Sequence, residues 1–259
     1  MLLTTWNVNS LGVRLPRVLE FLELHTPDVV CLQETKTTPE AFPHDALAEA
    51  GYTAVDHSGG RWEGVAVLAR EGLAIEDPVR GLPGEPAGQE ARWIEATVGG
   101  LRVASVYVPN GRAIDNPMFA QKLTFLGAMA DRAAALREDG ADVAISGDFN
   151  VCPADRDVYD PAAFVGATHV TEEERAALAA VRERGGLVDA YRELEPEEPG
   201  FTWWDYRQGH FHRKMGLRID LVLLSAESAG RLETCGIDRN FRKGPKPSDH
   251  APLLTRLSG

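Results

Sequence analysis

The chain has 259 residues, 44% hydrophobic and 25% charged, a globular composition long enough for a substantial core. No apolar run reaches the roughly 18 residues of a spanning helix, and Met1-Leu2-Leu3-Thr4-Thr5 lacks a charged n-region, so neither a membrane partner nor a signal peptide is expected. A net charge of −12 taken alone argues against a nucleic-acid partner, but Arg207, Arg213, Lys214 and Arg218 form one late basic stretch and Arg239, Arg242, Lys243 and Lys246 another, either solvated loops or the basic face of a polar molecule.

In chain order, strand-like apolar stretches fall at 2–8, 28–33, 64–69, 92–98, 101–108, 141–146, 219–224 and 251–257. A helical face is expected over Pro16 to Leu24. Gly99-Gly100 between two of the strand-like stretches is a two-residue hairpin signal. Asn116-Pro117 reads as an N-cap and first helical position, opening a helix to about Glu138. Thr171 with Glu174 forms a capping box ahead of a helix closed by Gly185-Gly186. Residues 77–91 and 153–170 read as long surface loops. Hairpins and helical crossovers both occur, so mixed sheets are expected within one α/β domain over 1–259. Cys31, Cys152 and Cys235 are odd in number and widely spaced, which fits a reducing cytoplasm and no disulfide framework or zinc site.

Polar clusters follow several of the apolar stretches. Asn7 and Asn9, two residues apart after the first, are expected on one side of the chain, with a turn before Gly12 as the bland alternative. Glu34 stands at the exit of the second stretch, where a carboxylate suits Mg²⁺. Asp148 and Asn150 follow 141–146, with Gly147 read as the turn; Asp could take a proton from water and Asn orient it, or the two could form an Asx-turn. Asp220 lies within an apolar stretch and must be paired, either with His250 or in a salt bridge to Arg218. Ser248-Asp249-His250 completes the set.

Seven segments then carry a resemblance: Trp6-Asn7-Val8-Asn9-Ser10, Leu32-Gln33-Glu34-Thr35-Lys36, Tyr107-Val108-Pro109-Asn110-Gly111, Gly147-Asp148-Phe149-Asn150, Phe201 to Arg207, Gly216 to Asp220 and Ser248-Asp249-His250. In order and over nearly the whole chain, they resemble the exodeoxyribonuclease III family of apurinic/apyrimidinic endonucleases, within the endonuclease/exonuclease/phosphatase superfamily. The resemblance implies a four-layer α/β sandwich, two mixed β-sheets face to face with helices outside, and a site among loops at one end. It implies Glu34 as main metal ligand with Asn9 nearby, Asp249 near the metal or at a second metal position, Mg²⁺ as cofactor with Mn²⁺ able to substitute, Asp148 as the group that activates water and Asn150 as the one that orients it. It further implies His250 as phosphate ligand held by Asp220, Tyr107 as a phenol on the scissile phosphate, and Asn7 in support.

Trp203, Leu217 and Ile219 match the apolar walls around a flipped-out, base-less sugar, whereas Trp204 is expected in the core. Asn110, Arg112, Arg213 and Lys214 are further substrate-binding candidates. The implied partner is double-stranded DNA with abasic sites or 3′ ends, bound by a monomer in the cytoplasm at the nucleoid. Two other functions compete: a phosphatase of the superfamily acting on inositol phosphates or lipids, and a catalytically silent nucleic-acid-binding member. The second is opposed by a competent residue at every expected catalytic position.

Overall fold

A computed structural model of the chain describes residues 1–86 and 90–259. Two six-stranded sheets form its centre. The first is ordered β11-β12-β1-β2-β4-β3, with β1 Leu2–Asn7, β2 Val29–Gln33, β3 Tyr52–His57, β4 Val65–Arg70, β11 Leu232–Ile237 and β12 Leu253–Leu257. The second is ordered β5-β6-β7-β8-β10-β9, with β5 Ile75–Arg80, β6 Trp93–Val98, β7 Leu101–Tyr107, β8 Val143–Asp148, β9 Val188–Asp189 and β10 Asp220–Leu224. Each sheet is mixed in the same way: one parallel pair at the centre, β1 with β2 or β7 with β8, and antiparallel neighbours outward.

Both faces of each sheet are apolar, which sets the layering. Leu3, Val29, Cys31 and Val67 meet Val103, Ala144 and Val222 in a core between the sheets. On the outside of the first sheet, Trp6, Val30 and Leu32 pack on α1 (Leu11–His25) and α2 (His44–Glu49) through Phe21, Leu22 and Leu47. On the outside of the second, Trp93, Ile145 and Leu221 pack on α3 (Pro117–Glu138) and α4 (Glu172–Gly185) through Phe125, Met129, Leu178 and Val181. The result is the expected four-layer α/β sandwich, completed by the short helices α5 (Ala190–Leu194) and α6 (Ala226–Gly230).

Local signals were mostly followed. Gly99 and Gly100 adopt φ of 57° and 84° in the β6–β7 hairpin, a turn that needs positive φ at both positions. The Asn116 side chain accepts from Met118 N at the start of α3, and the Thr171–Glu174 capping box opens α4. Four readings need correction. The first helix begins at Leu11, not Pro16, and carries Pro16 inside it, at the expense of one backbone hydrogen bond. Residues 75–80, partly assigned to the 77–91 loop, form β5; residues 87–89 of that loop lie outside the described residues. The 153–170 loop holds two short 3-10 turns, Asp155–Asp157 and Pro161–Phe164. Gly147 is not a turn but part of β8, where a Cβ would stand 2.0 Å from the Val106 carbonyl oxygen of the adjoining strand.

Candidate active site

Register places the central groups. Across β7, β8 and β10, Tyr107 lies opposite Asp148 and Asp148 opposite Asp220, one row at the end of the second sheet. In the facing sheet Asn7 lies opposite Gln33, and the next residue, Glu34, turns with φ 51°. The two sheet ends therefore meet around one cavity of about 180 Å³, lined by Glu34, Tyr107, Asn110, Asp148, Asn150, His169, Trp203, Leu217, Ile219, Asp249 and His250.

Buried Asn7 joins the two sheets. Its amide nitrogen donates to Glu34 Oε1 at 2.8 Å and to Asp148 Oδ2 at 3.0 Å. Asn9 does not continue the strand with it: β1 ends at Asn7, and Asn9 turns with φ 45° as its N–H donates to Asn7 Oδ1. That turn still brings Asn9 Nδ2 to 3.0 Å from Asp249 Oδ1, and the other oxygen of Asp249 accepts from Trp203 Nε1 at 3.0 Å. Lys36 Nζ lies 2.7 Å from Glu34 Oε2 and donates to Asn9 Oδ1 at 2.6 Å.

His250 Nδ1 is 2.8 Å from Asp220 Oδ2, and its Nε2 faces Asp148 Oδ2 at 3.8 Å. The alternative bridge from Asp220 to Arg218 does not form; Arg218 pairs with Asp157 and Asp189. Burial opposes a charge on His250, but Asp220, Asp148 and Asp249 outweigh it and lift the imidazole to about 10. Asp148 is lifted to about 7, first by burial, then by the Asp220 and Glu34 charges, against the pull of His250. Burial, with the Glu34 charge, holds the Tyr107 phenol well above its ordinary range, and the Arg92 guanidinium stacks 4.7 Å from its ring centre. Asn150 receives its orientation from Asn110, whose amide donates to Asn150 Oδ1 at 3.2 Å, and from its own donation to Val108 O at 2.9 Å.

The same cavity is lined by Trp203, Leu217 and Ile219; Leu217 and Ile219 are buried and Trp203 is half-buried. Trp204 turns into the interior, as expected. Arg112, Arg213 and Lys214 are exposed and do not line the cavity. Two residues of the two basic stretches serve structure instead: Arg218 in its buried ion pairs, and Arg242, which donates to the Trp204 and Asp249 carbonyls. Sequence reasoning missed His169, whose ring nitrogen meets Asn150 O; no motif marks it. It also missed buried Lys122, although its partner Glu174 had been read as a helix cap.

Glu34, Asp148 and His250 bring ligand atoms within 4.8 Å of one another, among the described residues. Among the described residues, four carboxylates (Glu34, Asp148, Asp220, Asp249) have two cationic groups, Lys36 and His250, at ion-pair distance. Oxygen donors with surplus negative charge fit a hard divalent cation rather than zinc.

Four layers, two mixed sheets and a carboxylate–amide–histidine site at their shared end define a phosphodiesterase-like architecture. The comparisons with known proteins make this specific. Residues 4–250 match the endonuclease/exonuclease/phosphatase family. Exodeoxyribonuclease III of Haemophilus influenzae is 31% identical over 261 positions, covering 96% of this chain and 97% of that protein. The 3′-5′ exonuclease NExo of Neisseria meningitidis is 39% identical with a TM-score of 0.96, and an AP endonuclease of Archaeoglobus fulgidus 32% identical with a TM-score of 0.95, each covering 100% of both chains. The NExo protein has also been solved as a 3′ phosphatase bound to a product DNA hairpin, at 38% identity and a TM-score of 0.96 over 100% of both chains. This chain belongs to the endonuclease/exonuclease/phosphatase family, in its exodeoxyribonuclease III branch.

Proposed function

We propose that this protein is a divalent-metal-dependent DNA repair nuclease that hydrolyses phosphodiesters in duplex DNA, incising 5′ to abasic sites, removing nucleotides 3′ to 5′, or both. The observation that carries this reading is one cavity with two unlike sets of lining residues: polar Glu34, Asp148, Asn150 and His250, and apolar Trp203, Leu217 and Ile219. The first set suits a phosphate and a water; the second suits the faces of a sugar.

Mg²⁺, with Mn²⁺ as substitute, would be held by Glu34 with Asp249 and Asn9 beside it, and when bound would neutralise phosphate charge. His250 stays protonated at neutral pH and donates from Nε2 to a phosphate oxygen, while Asp220 fixes the ring through Nδ1. Asp148, with its affinity for a proton raised toward neutrality, takes one from the attacking water. Asn150 orients that water and Asn7 holds Asp148 in place. Tyr107 remains a neutral phenol able to donate to the phosphate.

A weighting toward 3′-end processing has its own support. The His169 imidazole lines the cavity beside the motif residues, and the 3′-5′ exonuclease, at 39% identity, is more similar to this chain than the AP endonuclease, at 32%. We further propose that the protein acts as a single-domain monomer in the cytoplasm, at the nucleoid; no described helix is long and apolar enough to cross a membrane.

The test is Mg²⁺-dependent cleavage of a labelled duplex carrying an abasic analogue beside a matched duplex with a recessed 3′ end. Chelator should abolish both activities and Mg²⁺ restore them. Full activity in excess chelator, or a preference for inositol phosphates over every DNA, would overturn the reading.

A further inference from the structure

Lys122 on α3 and Glu174 on α4 form an ion pair with both side chains 0% exposed, and the hydrolytic step as described uses neither. Isolated burial of such charges is costly, and a buried pair is seldom a gain in stability over apolar groups of the same volume. The hydrogen bonds around this pair point elsewhere. Lys122 Nζ donates to Asn150 O at 2.7 Å and to Asn110 O at 3.3 Å, and it lies 3.2 Å from the Thr168 hydroxyl. That hydroxyl in turn reaches Asn110 O at 3.1 Å and Glu174 Oε1 at 2.6 Å. Glu174 also accepts from His169 N at 2.9 Å, and His169 places its ring nitrogen on Asn150 O.

Asn110, Asn150 and His169 all line the cavity, and all lie beyond the strand ends, where no ladder supplies hydrogen bonds. Asn150 has φ 51° and His169 φ 81°, conformations that need support from outside the residue. Gly111, at φ 86°, leaves room for the lysine stem: a Cβ there would stand 3.2 Å from Lys122 Cδ.

We infer that Lys122 and Glu174 are positioning residues, a buried charged clamp that fixes the Asn110 and Asn150 carbonyls and so aims both carboxamides, with His169, into the cavity. The catalytic consequence rests on the hydrolytic reading above. Neither residue touches substrate; each acts through Asn150, whose tilt sets the direction of the attacking water.

The test compares Lys122→Met, Glu174→Gln, the double variant and Thr168→Val with the unaltered full chain. Thermal unfolding, kcat and KM on duplex DNA with Mg²⁺, and the side-chain amide NMR signals of Asn110 and Asn150 are read together. The single variants should lose stability, and the double variant should regain most of it, since no charge is left unpaired. Its kcat should nevertheless stay roughly 10- to 100-fold down with KM little changed, because water and phosphate are misaligned rather than unbound. Recovery of kcat in step with stability would reduce the pair to packing and overturn the proposal. Should the double variant fail to fold, Thr168→Val decides: a smaller fall in kcat with shifted Asn110 and Asn150 signals is expected, and wild-type kcat with unshifted signals overturns the clamp. Should the unaltered protein cleave no DNA, the functional reading fails by itself, and the amide signals still judge the clamp.

Discussion

Two buried charge clusters flank the start of β10, and they are built on opposite rules. Around Arg218, two arginines (Arg218, Arg192) meet two aspartates (Asp157, Asp189), and every carboxylate oxygen has a partner: Asp157 takes Arg218, Arg192 and Ala154 N, and Asp189 takes Arg218 through both oxygens. Around His250, four carboxylates have two cations at ion-pair distance, and Asp220 Oδ1 is buried with no hydrogen-bond partner among the described residues. The closed cluster holds Arg218 charged, its aspartates outweighing burial. The open one leaves Asp148 with raised proton affinity. Charge balance, not burial, separates the two clusters, and it is the unbalanced one that shifts proton affinity toward neutrality.

Mutation should divide the clusters in the same way. Asp148→Ala should cost about 10²- to 10⁴-fold in kcat, unrelieved by added metal, whereas Glu34→Ala should recover part of its loss at high Mg²⁺. Metal titration of both variants reads the difference, and equal rescue would merge the two roles. In a double-mutant cycle, removing Asp220 or His250 should each cost several kcal/mol of transition-state stabilisation, and removing both little more. Full additivity would show that the pair does not act as a unit.

Arg218→Met should instead cost about 3–5 kcal/mol of folding stability in urea, with kcat of the folded fraction near that of the parent. A loss of kcat without loss of stability would move Arg218 into the site. Trp203→Ala should cost about 2–3 kcal/mol of packing, roughly 30- to 150-fold on DNA, while hydrolysis of a small activated phosphodiester stays nearly unchanged. Equal losses on both substrates would return Trp203 to the core.

The last effect concerns Glu174 and is confined to acid. Burial would raise its pKa, but Lys122 and hydrogen bonds from Lys122, Thr168 and His169 N prevail and hold it at about 2, below its ordinary 4.5. A depressed carboxylate contributes stability that is present above pH 4.5 and lost as pH falls toward 2. Glu174→Gln should therefore flatten the loss of stability across that interval in acid unfolding; an unchanged slope would dismiss the contribution.

The strands legible in the sequence were the eight interior ones. The four that were not expected, Tyr52–His57, Ile75–Arg80, Val188–Asp189 and Leu232–Ile237, are the four sheet edges. Edge strands are wetter and carry charge, and β5 is exposed at five of its six positions, so no apolar run marks them. At the site, residues inside motifs could be found because the motif fixes both identity and place. His169 and Lys122 could not, since each is brought to the Asn150 carbonyl only by contacts between distant segments. Gly147 was misread for a related reason: its need to be glycine comes from Val106 on the next strand, not from its own turn.

The place of β12 between β11 and β1 bears on how the protein is made. Trp6 donates to the His250 carbonyl across 244 positions, and Ser248 to the Asn7 carbonyl across 241. During synthesis β1 emerges early, yet one of its two edges has no native partner until β12 has been translated. Such long-range pairing is slow to form and leaves a sticky edge uncovered meanwhile, so nascent chains should lean on chaperones more than a locally wired fold would. It also acts as a completeness check: Asp249 and His250 arrive together with the strand that closes the sheet, so a prematurely terminated product has neither a finished first sheet nor the Asp220–His250 pair.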